Sequence, residues 1–118
     1  MTDYTIFHNP RCSKSRQTLA LLEENGVTPT IVKYLDDTPD AATLAALIKK
    51  LGLSKAHDLV RNKEADYAIA GLSKDSSDKD VIAAMVAHPK LIERPIVVRG
   101  DKAVLGRPPE NVLALLGK

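Results

Sequence analysis

Two rhythms of apolar residues run through the chain, one short and continuous, the other spaced at three and four. Tyr4 to His8 is a brief apolar run closed by Asn9-Pro10. It predicts a buried strand, because proline cannot donate to a ladder and turns the residue before it away from helix. A helix over Ser13 to Glu24 follows, with Leu19 and Leu22 as its core face, Ala20 and Leu21 flanking, and Asn25-Gly26 as its stop. Pro29 to Tyr34, carrying Ile31 and Val32, predicts a second strand. A crossover helix between two strands implies that they run parallel with a right-handed connection.

The middle of the chain switches to the helical rhythm. Thr38-Pro39-Asp40 starts a helix with a cap residue and a proline in the first turn; Leu44, Leu47, Ile48 and Leu51 keep its apolar spacing, and Gly52 ends it. From Ser54 to about Ala70 the pattern is broken by the charged run Arg61-Asn62-Lys63-Glu64, and two small helical pieces are expected. After a polar stretch from Ser73 to Asp80, Val81, Ile82, Met85 and Val86 mark another amphipathic helix closed by His88-Pro89. Ile96-Val97-Val98 then reads as a strand, Gly100-Asp101 as a two-residue hairpin turn, and Ala103-Val104-Leu105 as its antiparallel return. Gly106-Arg107-Pro108-Pro109 breaks that strand, and a last short helix over Asn111 to Leu116 packs through Val112, Leu113 and Leu116.

This order, β-α-β, a helical block, then β-β-α, resembles the thioredoxin-like arrangement around one four-stranded mixed sheet. The expectation is an α/β chain forming a single domain over residues 1–118, with a helical insert at about 38–90. In such folds a proline, usually cis, precedes the strand facing the active-site cysteine, and Pro95 stands in that place. An ordinary strand-entry proline would read the same way.

Composition narrows the function. A length of 118 residues fits one domain, and 44% hydrophobic with 27% charged residues suits a packed core. Seventeen Lys and Arg against fifteen Asp and Glu, a net charge of +2, do not argue for a nucleic-acid or membrane surface. Aromatic residues at 3% leave base stacking unsupported. One cysteine cannot form an internal disulfide, and no apolar run matches a signal h-region or membrane span, so a reducing, cytoplasmic compartment is the default expectation.

That single cysteine, Cys12, sits where a strand runs through a turn into a helix. A thiol at a helix N-terminus faces unpaired N–H groups and the positive end of the dipole, which favour the thiolate. Arg11, Lys14 and Arg16 lie close in sequence and push in the same direction. The same features bind oxyanions. Ser15 stands where a Cys-x-x-Cys pair has its second cysteine; its hydroxyl can donate to the thiolate or bond the local backbone, but it cannot form a disulfide. His8 can tune the thiolate, pair with it as imidazolium, or serve as a structural group at the strand end. Any two-electron reduction here requires a second thiol from outside the chain. A bound metal is not expected, because one cysteine and three scattered histidines lack ligand spacing. Arg61, Arg94 and Arg107 lie in breaks between elements, the last two beside prolines at the ends of the hairpin strands. There a guanidinium fork would suit a tetrahedral oxyanion, although each also reads as a solvated charge.

His8-Asn9-Pro10-Arg11-Cys12-Ser13-Lys14-Ser15-Arg16, Tyr34-Leu35, Arg61-Asn62, Arg94-Pro95-Ile96-Val97-Val98 and Gly106-Arg107-Pro108 together resemble the glutaredoxin-dependent arsenate reductases of the thioredoxin fold, across nearly the whole chain. The resemblance implies that Cys12 attacks arsenate to form an arsenic–sulfur adduct, with His8 assisting the thiolate and Ser15 as a hydrogen-bond partner. It also implies that Arg61, Arg94 and Arg107 hold the oxyanion, that glutathione enters as co-substrate with no bound cofactor, and that glutaredoxin completes reduction to arsenite. The phosphatase-like arsenate reductases are excluded, since their loop needs an arginine at the position of Thr18. Two alternatives stand beside this reading: a monothiol glutathione-dependent oxidoreductase on another substrate, suggested by Cys-x-x-Ser, and a non-catalytic module resembling the transcription-regulating branch of the superfamily.

Overall fold

The structure is a computed structural model that describes residues 4–116. The chain divides into two compact units, Met1–Asp37 with Arg94–Lys118, and Thr38–Glu93.

The first unit is built on a four-stranded mixed sheet in the order β2-β1-β3-β4, formed by β1 (Tyr4–Phe7), β2 (Thr30–Val32), β3 (Ile96–Arg99) and β4 (Lys102–Leu105). β1 pairs in parallel with β2, Ile6 opposite Ile31, and antiparallel with β3, Ile6 opposite Val97. β3 and β4 pair antiparallel through the turn Gly100-Asp101. Gly100 takes φ +61°, the left-handed value that the first position of a II′ turn requires. The crossover between β1 and β2 is α1, Ser13–Glu24. Its Leu22 packs with Ile6, Val97, Val112 and Leu115 into the buried core, with Leu19 and Leu21 partly buried against it. The element order and the mixed sheet are the thioredoxin-like arrangement that the sequence predicts.

Three local expectations are refined here. The fully buried stripe of α1 is Ser15, Thr18 and Leu22, so two of its three buried residues are polar, while Leu19 lies partly buried against the core. The last helix is a 3₁₀ segment, Pro109–Ala114, that starts two residues early. Pro109 at its first position supplies the helical φ and has no N–H to leave unpaired. The second strand spans only Thr30–Val32.

The second unit is helical: α2 (Ala41–Lys50), a 3₁₀ turn at Ala56–Leu59, α3 (Ala65–Ile69), α4 (Asp78–Ala87) and a 3₁₀ turn at Pro89–Leu91. Leu44, Leu47, Leu59, Val81, Met85, Leu91 and Ile92 are among its buried apolar residues. The cap of α2 is Asp40, whose carboxylate accepts the Thr43 N–H at 2.8 Å, so Pro39 precedes the cap instead of lying in the first turn. Likewise α4 begins at Asp78, ahead of its first apolar residue Val81, because the Ser77 hydroxyl accepts the Asp80 N–H. Among the described residues no helix is long and apolar enough to cross a membrane.

Candidate active site

The loop between β1 and α1 places the cysteine. The Asn9 carbonyl accepts the Cys12 N–H at 3.0 Å, and the Asn9 side chain accepts the Arg11 N–H at 3.0 Å. These two bonds wrap the chain around Pro10, so that Cys12, in extended backbone geometry, occupies the N-cap of α1. An N-cap side chain ordinarily accepts the N–H of the second or third helical residue. Cys12 closes no cap hydrogen bond of ordinary geometry, yet the N–H groups of Ser15 and Lys14 lie where they favour an ionised sulfur.

Burial alone pushes the Cys12 thiol up, but it is outweighed by the Ser15 N–H, the charge of Arg94, the Lys14 N–H and a hydrogen bond from the Arg94 side chain, leaving the thiol below its ordinary value. The cation that acts most on the sulfur is therefore Arg94, from the far end of the chain, ahead of the sequence neighbours Arg11, Lys14 and Arg16. Lys14 contributes through its backbone. Arg16 folds back, its Nη1 donating to the Pro10 carbonyl at 2.9 Å.

Arg94 and Arg107 flank the β3–β4 hairpin, and Nη1 of Arg107 donates to the Arg94 carbonyl at 3.3 Å. Both arginines precede cis prolines, Pro95 and Pro108. Between them Gly106 donates its N–H to the Pro95 carbonyl at 2.9 Å.

His8 and Ser15 are both buried, at 5% and 0% exposure. His8 Nδ1 and the Ser15 hydroxyl are 2.6 Å apart, and the same hydroxyl accepts the Asn9 N–H at 3.0 Å. The Ser15 side chain thus ties strand to helix, while its backbone N–H is what reaches the sulfur. Burial, then the charges of Lys33 and Arg16, hold His8 below its ordinary pKa. The same burial favours the neutral ring over the imidazolium.

Arg61 belongs to the helical unit. Its Nη1 pairs with Glu64 at 2.6 Å and its Nε with Glu93 at 3.8 Å, and its backbone N–H donates to the Leu91 carbonyl. Among the described residues no group of three or more His, Cys, Asp or Glu side chains could hold a metal ion.

The model of the ArsC family matches residues 7–115, which takes in the last residue of β1, the cysteine loop, the three arginines and strands β2 to β4. The chain belongs to the ArsC family. Its relatives include a protein named arsenate reductase from Neisseria meningitidis serogroup B, 48% identical over 98% of this chain and 100% of that one. Another is the uncharacterized protein YfgD of Escherichia coli K12, 56% identical over 95% of both chains. Among solved structures, one titled arsenate reductase from Vibrio cholerae superposes with a TM-score of 0.92 at 48% identity, covering 96% of this chain and 97% of that one.

In this ArsC-family chain the sequence reading missed Thr18, noted only as the place where an arginine is lacking. Its hydroxyl, fully buried, donates to the Lys14 carbonyl at 2.8 Å and faces the Gly106 carbonyl at 3.2 Å. The available signal was its spacing: Ser15, Thr18 and Leu22 lie on one helical face.

Proposed function

We propose that the chain is an arsenate reductase in which the Cys12 thiolate attacks arsenate held by Arg94 and Arg107. The observation that carries this reading is the convergence on one sulfur of two helix-start N–H groups and the Arg94 guanidinium, with Arg107 bonded to the Arg94 backbone. Such a setting favours both a thiolate and a tetrahedral anion beside it. Arg61 enters the reading as a third anion-binding residue through its motif. The relatives named arsenate reductases support the choice of substrate.

The chemistry balances as follows. The Cys12 sulfur forms a bond to arsenic, one arsenate oxygen leaves as water after taking up protons, and arsenic remains pentavalent. Reduction to arsenite needs two electrons, which two thiol sulfurs supply by becoming a disulfide. The chain has one cysteine, so the second thiol comes from outside. Glutathione is that thiol, and glutaredoxin reduces the disulfide that remains. The reducing cytoplasm is where both are available.

Arsenite formation measured with glutathione and glutaredoxin, in the native protein and in Cys12→Ser, tests this. Turnover is expected in the first and its loss in the second. Equal rates, or activity sustained by thioredoxin without glutathione, would overturn the substrate chemistry or the reductant respectively.

A further inference from the structure

Thr18 links the helix that presents the cysteine to the loop that presents the arginines. A buried hydroxyl has one proton to give. In a helix the carbonyl four residues back usually takes it, as Lys14 does here at 2.8 Å. Thr18 also shares its hydroxyl with Gly106, the residue immediately before Arg107, at 3.2 Å. The joint is closely packed. A Cβ on Gly106 would meet Thr18 Oγ1 at 2.5 Å, Thr18 Cγ2 at 2.8 Å and Pro95 Cγ at 2.8 Å. Gly106 has no positive φ, so glycine is needed there for space and not for backbone freedom. Its N–H completes the joint on the Pro95 carbonyl, directly after Arg94. One contact therefore holds three segments: α1 beyond Cys12, the residue after Arg94 and the residue before Arg107.

We propose that Thr18 is a positioning residue that sets the span between the Cys12 sulfur and the Arg107 guanidinium, and so the fit of the tetrahedral oxyanion between them. This rests on the oxyanion-binding reading above. Both contacts of the Thr18 hydroxyl go to backbone carbonyls, of Lys14 and Gly106, so its influence on anion binding is separable from any influence on nucleophilicity.

The test compares Thr18→Val, which keeps the shape and removes the hydroxyl, with Thr18→Ser, which keeps the hydroxyl. Cys12 alkylation by iodoacetamide is followed against pH and against arsenate concentration, together with steady-state arsenite formation. In Thr18→Val the arsenate concentration that half-protects Cys12 and the KM for arsenate are expected to rise about fivefold, the factor given by losing one ordinary hydrogen bond. The alkylation pKa and kcat are expected to hold, and Thr18→Ser to restore both concentrations. A lower melting temperature with both concentrations unchanged would make Thr18 merely structural and overturn the proposal. If Thr18→Val does not fold, Gly106→Ala strains the same joint from its other side, and an unchanged KM there would overturn it equally. Absence of arsenate protection in the native protein would instead sink the oxyanion reading, and this inference with it.

Discussion

Nη1 of Arg107 donates to the backbone carbonyl of Arg94 at 3.3 Å, which ties one guanidinium to the backbone of the arginine that acts on the thiol. Their roles divide. Arg94 acts on the Cys12 sulfur by charge and by hydrogen bond, whereas Arg107 is anchored on the Arg94 backbone. Arg94→Ala is therefore expected to raise the thiol pKa and weaken arsenate binding together. Arg107→Ala should weaken arsenate binding, by about tenfold or more for a lost charge-assisted contact, and leave the thiol pKa in place. Alkylation rates against pH, with and without arsenate, separate the two. A thiol shift in both variants would contradict the division.

The lowered thiol pKa makes a prediction about pH. The nucleophile is the thiolate, so alkylation should rise to its plateau at a pH below that of a free cysteine. Folding linkage has the matching sign: above the unfolded-state pKa the native state gains full stability from the ionised sulfur. That gain fades as pH falls between the unfolded and folded values and is absent below the folded one. Cys12→Ser should remove the gain, and chemical denaturation of both proteins at several pH values will measure it.

Ser15→Ala should cost stability more than reactivity. The hydroxyl is the partner of buried His8 Nδ1 and of the Asn9 N–H, and its removal leaves both without that bond, a loss of about 1–3 kcal/mol. The backbone N–H that favours the thiolate is unchanged, so the alkylation pKa should stay put. The opposite result, a raised thiol pKa at full stability, would mean that the hydroxyl itself serves the sulfur. His8 adds its own acid sensitivity. Its folded-state pKa is depressed, so the stability it confers is complete above about 6.5 and is lost as pH falls through the folded value. His8→Gln should flatten that part of the denaturation profile.

Arg61→Lys distinguishes anion binding from structural pairing. The partners Glu64 and Glu93 are partly exposed, and such pairs contribute about 0–1 kcal/mol, so the melting temperature should move little. Lysine keeps the charge and loses the planar fork, and on the oxyanion reading KM for arsenate should rise about tenfold. A large fall in stability with KM unchanged would assign Arg61 to the fold of the helical unit.

Much of the architecture was legible because its signals are local. Asn25-Gly26 ends α1 at the residues read from the chain, and Gly100-Asp101 turns the hairpin where a two-residue loop was expected. The 3₁₀ character at Pro109–Ala114 and the cap at Asp40 depend on hydrogen bonds between near neighbours, and periodicity of apolar residues does not register them. The place of Cys12 at the start of α1 was legible too.

Which groups surround that cysteine was decided in three dimensions. Antiparallel pairing of β1 with β3 and the return of β4 carry Arg94 and Gly106-Arg107 to the start of α1 from the far end of the chain. Adjacent Arg16 instead directs its guanidinium to the Pro10 carbonyl. The sequence by itself determined the order of elements, the helix-cap thiol and its lack of an internal partner, since these follow from backbone preferences and residue count. Only the tertiary structure decided that Arg94 supplies the positive charge, that buried His8 meets Ser15, and that Thr18 meets Gly106. The reason is physical: charge, burial and close packing act through distances in space, and strand pairing sets those distances between residues far apart along the chain.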